Sequence, residues 1–340
     1  MNRFLFDFSS SYKGGGLKRL IEYLKYFDKC GGAFFIINSN CHYLKDKFSN
    51  YNIIIISNKS LIDKILLRNK QIQKLSSIKF DFYYSYGLPI IDRIATINWF
   101  HVSNMLPFFI STMPISLFDF IKMKILQIQY KIFSYNADII SAESNFSSEN
   151  LTKILKRAIF ISQNGSDDEI NYIATLNKIS PINIVVSVGT YKYKDISSAF
   201  EIFKFLNSSQ NLRWVIIGSS SEVPKAILRS KNILVRENLK RSHVIRYLKY
   251  AKYYLSATKI ENSFNAAAEG VFHSSISILS PIEPHRELVG SSSFTLLNDT
   301  KFSNFLVVNR SKINPKVLKS WEVVINEMLD FASSIRDGVK

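Results

Sequence analysis

The stretch Asn183-Ile184-Val185-Val186-Ser187-Val188-Gly189-Thr190-Tyr191-Lys192-Tyr193-Lys194-Asp195 reads as a strand running into a turn. Its apolar residues are continuous rather than alternating, which is the pattern of a strand covered on both faces. Small residues, Gly189 and Thr190, stand at the strand's carboxyl end, and two lysines follow. The next stretch, Ile196–Leu206, reads as a helix. A strand, a turn and a helix in that order form one half of a parallel β–α–β unit.

The same alternation extends in both directions. Downstream, short apolar runs recur at Arg213–Ile217, Ile233–Val235, Tyr253–Ser256, Ser275–Leu279 and Phe294–Leu297, with a further helix over Val244–Ala251. Upstream, a first series comprises Arg3–Phe8, Ala33–Ile37, Ile53–Ile56, Asp81–Ser85, Thr96–Phe100, Asp138–Ser141 and Ala158–Ser162. Its first helix spans Leu17–Phe27, where Leu17, Leu20, Ile21 and Leu24 recur on one face. The two series predict two doubly wound, parallel-sheet α/β domains, with the boundary in the polar stretch Asn164–Pro181. The expected division is 1–165, 182–312, and C-terminal helices over 313–340 that pack back across the domains. Such domains bind ligands beyond the carboxyl ends of their strands.

Composition narrows the class. The chain has 340 residues, enough for two domains with full cores. Hydrophobic residues at 46% and aromatics at 14% exclude a disordered chain. Two cysteines, Cys30 and Cys41, cannot build a disulfide framework, and both read as buried or half-buried thiols. Forty-four Lys and Arg against 27 Asp and Glu give a net charge of +17. Residues 1–175 carry +7 of it and residues 176–340 carry +10. A field of that sign suits phosphate-bearing partners, although a plain basic protein would show it too. Met1–Phe8 is short and carries Arg3 and Asp7, unlike a signal peptide. Met105–Ile121 is interrupted by Pro107, Pro114 and Asp119, unlike a membrane span. A cytoplasmic protein is the expectation.

Several positions could carry chemistry. Gly14-Gly15-Gly16 opens the first helix, where backbone N–H groups can face an anion. A flexible turn would account for the glycines equally well, and the pattern is neither a dinucleotide fingerprint nor a P-loop. His101 ends the strand Thr96–Phe100, where it could bond a hydroxyl or a phosphate. His42, His243, His273 and His285 show no metal-ligand spacing, so no metal and no cofactor are expected. Gly189-Thr190 with Lys192 and Lys194 suits a diphosphate. Glu261 and Glu269 bracket Asn262-Ser263-Phe264-Asn265-Ala266-Ala267-Ala268. As parts of one helix they would lie about 12 Å apart, a span that fits opposite ends of a nucleotide sugar.

In that order, these residues resemble retaining glycosyltransferase family 4, of the GT-B fold. Gly189-Thr190 through Lys194 resembles its glycine turn and lysine, and Glu261 with Glu269-Gly270 matches its E-x7-E motif. Ile260-Glu261-Asn262-Ser263 resembles a variant found in polysaccharide enzymes, and Pro284-His285-Arg286-Glu287-Leu288 resembles a segment that follows it. In the first half, Gly14-Gly15-Gly16, Trp99–Asn104, Ser141–Asn145 and Gln163-Asn164-Gly165 fall in the family's order. The resemblance implies two Rossmann-like domains facing a central cleft. It also implies a metal-independent enzyme that transfers a sugar from a nucleotide-sugar donor. Gly15 and Gly16 would approach the diphosphate or the acceptor. Lys194 would neutralise the leaving group. Glu261, with N–H groups of Ser263, Phe264 and Asn265, would hold the donor sugar, Glu269 the ribose, and His101 the sugar beside its reacting carbon. Thr190 departs from the family's arginine, leaving that charge to Lys192 or unfilled. Asn262 and Asn265 replace its glycines.

The resemblance points to a lipid-linked acceptor, as in bacterial O-antigen or capsule assembly. Epimerase or hydrolase chemistry on the same fold, an inactive partner subunit and a basic nucleic-acid-binding protein are the alternatives. No known nucleic-acid motif supports the last. Met105–Phe133 mixes Phe108, Phe109, Phe118, Ile121, Ile125 and Ile128 with Lys122, Lys124 and Lys131. With Lys13, Lys18 and Arg19 nearby, that suits peripheral contact with an anionic membrane, although a core helix would give the same pattern. The stretch Lys225–Lys252 carries nine basic residues against Glu237.

Overall fold

The protein is described from a computed structural model covering residues 3–48, 52–56, 68–75, 77–110, 116–166, 181–290, 293–312 and 318–338. Most of the expected domain boundary (167–180), together with Pro114 and the start of the C-terminal region (313–317), lies outside these described residues. The chain divides into two compact units. Met1–Phe108, Leu117–Gly165 and Lys319–Lys340 form the first, and Phe109–Ser116 with Ser166–Leu318 the second.

The first unit has seven strands: β1 (Phe4–Phe8), β2 (Ala33–Asn38), β3 (Asn52–Ile56), β4 (Phe80–Tyr86), β5 (Ala95–His101), β6 (Ile139–Ala142) and β7 (Phe160–Ile161). They lie in the order β3-β2-β1-β4-β5-β6-β7, and every pairing is parallel. Helices α1 (Gly14–Cys30), α2 (Tyr43–Lys47), α3 (Arg68–Lys74), α4 (Leu117–Phe133) and α5 (Asn145–Leu155) accompany it. The helical spacing read from Leu17–Leu24 explains how α1 sits. Leu20, Tyr23, Leu24 and Phe27 are buried with Phe6 and Phe8 of β1. Phe6 meets Tyr23 edge-on at 5.5 Å and Phe27 at 4.8 Å. Gly31 ends α1 with φ +69°, and its N–H donates to the Phe27 carbonyl at 2.7 Å. A residue with a side chain would be strained there.

The second unit repeats the theme with β8 (Ile182–Val188), β9 (Arg213–Ile217), β10 (Ile233–Arg236), β11 (Ala251–Ser256), β12 (Ile276–Leu279), β13 (Phe294–Leu296) and β14 (Leu306–Asn309). Its order is β10-β9-β8-β11-β12-β14-β13. The strand β14 was not foreseen, and it runs antiparallel to both β12 and β13. The second sheet is therefore parallel over five strands, with an antiparallel edge. The helices are α6 (Ile196–Asn207), α7 (Lys225–Leu228), α8 (Arg241–Tyr250), α9 (Asn265–His273) and α10 (Glu283–Val289). Two apolar clusters cover the sheet, one around Trp214 and Ile202 and one around Tyr254 and Leu248.

The C-terminal helix α11 (Trp321–Gly338) belongs to the first unit. Trp321, Ile325 and Met328 join the core of β1 and α1, and the Tyr23 hydroxyl donates to the Met328 sulfur at 3.3 Å. Gly165 makes room for this packing, since a Cβ there would lie 2.6 Å from the Trp321 ring. Of the two cysteines, Cys41 is buried as expected, whereas Cys30 is exposed at the end of α1.

Gly270 does the same for α9. A Cβ at Gly270 would lie 2.1 Å from the Tyr254 ring, and Tyr254 is itself buried on β11. Gly270→Ala should therefore force α9 away from the sheet and cost roughly 1–3 kcal/mol, the usual range for overpacking. Denaturant unfolding checks this, and an unchanged midpoint would contradict it.

Candidate functional site

In the second unit the site grows from two adjacent strands. β8 and β11 pair in parallel, so their carboxyl ends lie side by side. After β8 the chain turns at Gly189 (φ +89°), and a Cβ there would crowd the Lys194 side chain at 3.1 Å. Residues Lys192–Lys194 form a single 3-10 turn. Asp195 then caps α6 by accepting from the Ser198 N–H at 3.2 Å. After β11, the Lys259 N–H donates to the Tyr193 carbonyl at 2.8 Å, and the Thr258 hydroxyl donates to the same oxygen at 3.3 Å. A Lys259–Asp195 ion pair at 3.0 Å adds a third tie. These ties join the two loops, and Lys194 donates a short hydrogen bond to Glu261.

Glu261 is not helical. It lies in the loop before α9, so the 12 Å helical span expected between the two carboxylates does not apply. Glu269 sits inside α9 and pairs with Arg241 at 2.5 Å. Arg241 opens α8, and the sequence reading had placed it only within the basic stretch Lys225–Lys252. Nothing local in the sequence marks it, because its partner lies 28 residues away. Ser263 and Phe264 are buried, and Asn262 and Asn265 are half-buried. Lys192 is exposed, whereas Thr190 is buried against Gly218. His285 is buried close by, and its Nδ1–H donates to the Ser280 carbonyl at 2.9 Å.

In the first unit, His101 ends β5 between the ends of β4 and β6, and Gly15 and Gly16 open α1 after β1. Gly15 is exposed in the first turn of α1. At Gly16 a Cβ would lie 2.8 Å from the Ser11 hydroxyl and 3.1 Å from Tyr86. The Tyr86 ring stacks on His101 at 5.1 Å. His101 is fully buried, and both its ring nitrogens are engaged. Nδ1 lies 2.7 Å from the Ser141 hydroxyl and Nε2 lies 2.6 Å from Arg19 Nη1. A guanidinium only donates, so Nε2 presents its lone pair and Nδ1 carries the proton. The imidazole is neutral in this arrangement and has no proton to give at Nε2.

Arg19 corrects the sequence reading, which grouped it with surface lysines. It is fully buried, and its Nη2 donates to the Ser162 carbonyl and hydroxyl and to the Gln163 carbonyl, at 2.8–3.1 Å. Glu143 balances its charge from 3.5 Å and accepts from the Tyr86 hydroxyl at 3.2 Å. Among the described residues, no cluster of His, Cys, Asp and Glu could hold a metal ion.

No protein-family model matches the chain, and no curated protein sequence does either. Solved structures do match along its full length. Sucrose-phosphate synthase from Thermosynechococcus elongatus superposes with a TM-score of 0.70 at 9% identity, covering 99% of this chain and 100% of its own. HepE from Anabaena, in complex with UDP and glucose, gives 0.66 at 11% identity, with 98% and 100% covered. UDP-N-acetylglucosamine 2-epimerase from Rickettsia bellii gives 0.59 at 10% identity, with 100% and 98% covered.

The two buried histidines make a stability prediction. Burial, followed by the positive charge of Arg19, lowers His101 from its usual 6.5 to about 4. Burial also lowers His285 to about 4. The unfolded chain therefore binds more protons than the folded one between about pH 4 and 6.5. Stability is present above that window and falls as the pH drops through it, by on the order of 3 kcal/mol per histidine. Denaturant midpoints at pH 7 and pH 5 test this, and His101→Gln should flatten the difference. An equal midpoint at both pH values would contradict it. The chain's two units, with their reversed strand orders and end-to-end neighbours, have the two-domain Rossmann-like GT-B fold.

Proposed function

We propose that the chain is a retaining glycosyltransferase that moves a sugar from a nucleotide-sugar donor to a growing, lipid-linked bacterial surface glycan such as an O-antigen or a capsule. The observation that carries this reading is the meeting of the loops after β8 and β11. It sets Lys194 against Glu261, with Glu269 on the helix that follows. The neighbours lend support. HepE was solved with UDP and glucose, and sucrose-phosphate synthase shares the fold. The E-x7-E resemblance adds the family 4 assignment.

In the reaction, the bond between the sugar carbon and the diphosphate oxygen breaks, and its electron pair leaves with the diphosphate. The acceptor oxygen forms the new bond to that carbon, and its proton passes to the departing diphosphate oxygen. The lysine ammonium, rather than a metal ion, would stabilise the charge that develops on the leaving phosphate. Lys192 would supply a second cation, since Thr190 is buried and neutral. Glu261, with backbone N–H groups of Ser263 to Asn265, would hold the donor sugar. Glu269 would take the ribose hydroxyls by exchanging its bond with Arg241. Gly15 and Gly16 would approach the diphosphate or the acceptor with backbone alone. His101, locked by Arg19, would serve as a positioning residue through Tyr86 rather than as an acid or a base. The enzyme would work in the cytoplasm, peripherally at the inner face of the plasma membrane.

Incubation with a panel of nucleotide sugars tests the reading. The expected result is nucleoside diphosphate release together with a glycosylated acceptor. Release with a free epimerised sugar would favour the epimerase chemistry of the Rickettsia bellii neighbour.

Two variants sharpen the assignment. Glu261→Ala should lower turnover by about two orders of magnitude or more, with Glu269→Ala mainly weakening nucleotide binding. Near wild-type transfer in both would remove the carboxylates from the site. Lys194→Ala should weaken nucleoside diphosphate binding by about ten- to a hundredfold, the worth of one charge-assisted contact. Calorimetric titration measures it, and unchanged affinity would move the role to Lys192.

A further inference from the structure

The helix α4 has one anchored side and one bare side. Met123 and Tyr130 are its buried residues, and the Tyr130 hydroxyl donates to the Gly87 carbonyl at 3.0 Å. A core helix would bury a broad apolar stripe, and α4 does not. Phe118, Ile121, Ile125, Ile128 and Ile132 follow one another at spacings of three and four residues, and their exposures run from 37% to 76%. Leu117 extends the stripe at 74% exposed. Single exposed apolar residues are ordinary, but a continuous stripe along about 25 Å of helix marks a surface that meets something.

The flanks indicate the partner. At 100° per residue, Lys124 and Lys131 border the stripe on one edge, and Lys122 and Gln129 border it on the other. Asp119, the one acidic residue of α4, falls outside both edges. Two copies packed stripe to stripe would bring these lysines together at like charge. An anionic lipid leaflet has no such conflict. Its phosphates would lie along both edges at once, while the apolar tips enter the acyl boundary. The chain's net charge of +17 draws it toward such a surface. No helix among the described residues is long and apolar enough to cross a membrane, so the contact is a shallow one.

We propose that the outer face of α4 docks in the plane of an anionic lipid bilayer, with Phe118, Ile121, Ile125, Ile128 and Ile132 inserted and Lys122, Lys124 and Lys131 at the headgroups. This rests on the peripheral-membrane part of the function proposed above and names the element that makes the contact. Such a helix holds by apolar burial and by charge together.

The test is co-sedimentation of the full chain with vesicles of phosphatidylcholine alone or mixed with phosphatidylglycerol. Binding to the anionic vesicles should exceed binding to the neutral ones by about tenfold, and about 0.5 M salt should release part of it. Phe118→Ser with Ile121→Ser should reduce binding about tenfold at any salt, because the lost contact is apolar. Replacing Lys122, Lys124 and Lys131 with Gln should remove the preference for anionic vesicles. These side chains face outward, so the thermal melt and the calorimetric nucleotide affinity should be unchanged. That separates a failure of docking from a failure of the donor-site reading. Absence of pelleting with anionic vesicles would overturn the proposal. So would equal pelleting with both vesicle types, or a dimer in sedimentation equilibrium that Ile121→Ser abolishes.

Discussion

Each sheet reverses its strand order beside its first strand, and the placement of the candidate residues follows from that reversal. The second unit shows why. β9 and β10 lie on one side of β8, and β11 and β12 lie on the other. Connections leaving β8 and β11 therefore diverge, and a crevice opens above their carboxyl ends. Lys194 and Glu261 come from the loops that follow these two strands. Three ties at Tyr193 and Asp195 hold those loops in register, so a lysine and a carboxylate 67 residues apart become partners. The two carboxylates are each held by a cation, Glu261 by Lys194 and Glu269 by Arg241. In the proposed function, a diphosphate or a ribose would enter by exchanging these bonds.

The first unit solves a related problem with buried arginines. Arg19 comes from α1 and Arg68 from α3, and both lie under the carboxyl ends of the central strands. Arg68 pairs with Asp7 at 2.6 Å and donates to the Pro89 carbonyl, the Tyr83 hydroxyl and the Ser85 hydroxyl. Stripping water from a guanidinium is costly, and only a nearly complete set of acceptors offsets it. That requirement fixes the loops that supply the acceptors. Arg19 holds the Ser162–Gln163 backbone and the His101 ring, and it lies over the Tyr23, Tyr86 and Trp321 rings. The Ser162–Gln163 loop end is tied to α1 in this way, since the buried charge would otherwise be left unpaired.

Much of this fold was legible in the sequence, and the exceptions have physical causes. All seven strands of the first sheet were read from continuous apolar runs; the inner ones are buried on both faces, which leaves no polar alternation to confuse the pattern, and the edge strands β3 and β7 stay apolar although partly exposed. β14 was missed because it is only four residues long and returns antiparallel between β12 and β13, which breaks the β–α rhythm. Val244–Ala251 was read as one helix, although Ala251 already belongs to β11. Of the residues that the motif singles out in the second unit, the structure brings Lys194 and Glu261 together. Arg241 was not legible, since nothing in its neighbours distinguishes it from eight other basic residues nearby. Arg19 was misread for the same reason. A charge count records a residue's sign and not its depth, and the acceptors that bury Arg19 lie 82 and 143 residues away.

The position of α11 bears on how the chain matures. The ribosome makes the whole of the second unit before it makes the helix that closes the first. Until Trp321, Ile325 and Met328 emerge, the apolar faces of α1 and β1 that they cover stay open to water, and Gly165 has no ring against it. The second unit can reach its native state during synthesis while the first waits as an unfinished intermediate. A nascent chain stalled shortly before residue 319 would expose that open core, a surface that chaperones and proteases recognise. Helix α11 thus sets when the first unit can leave the care of the folding machinery.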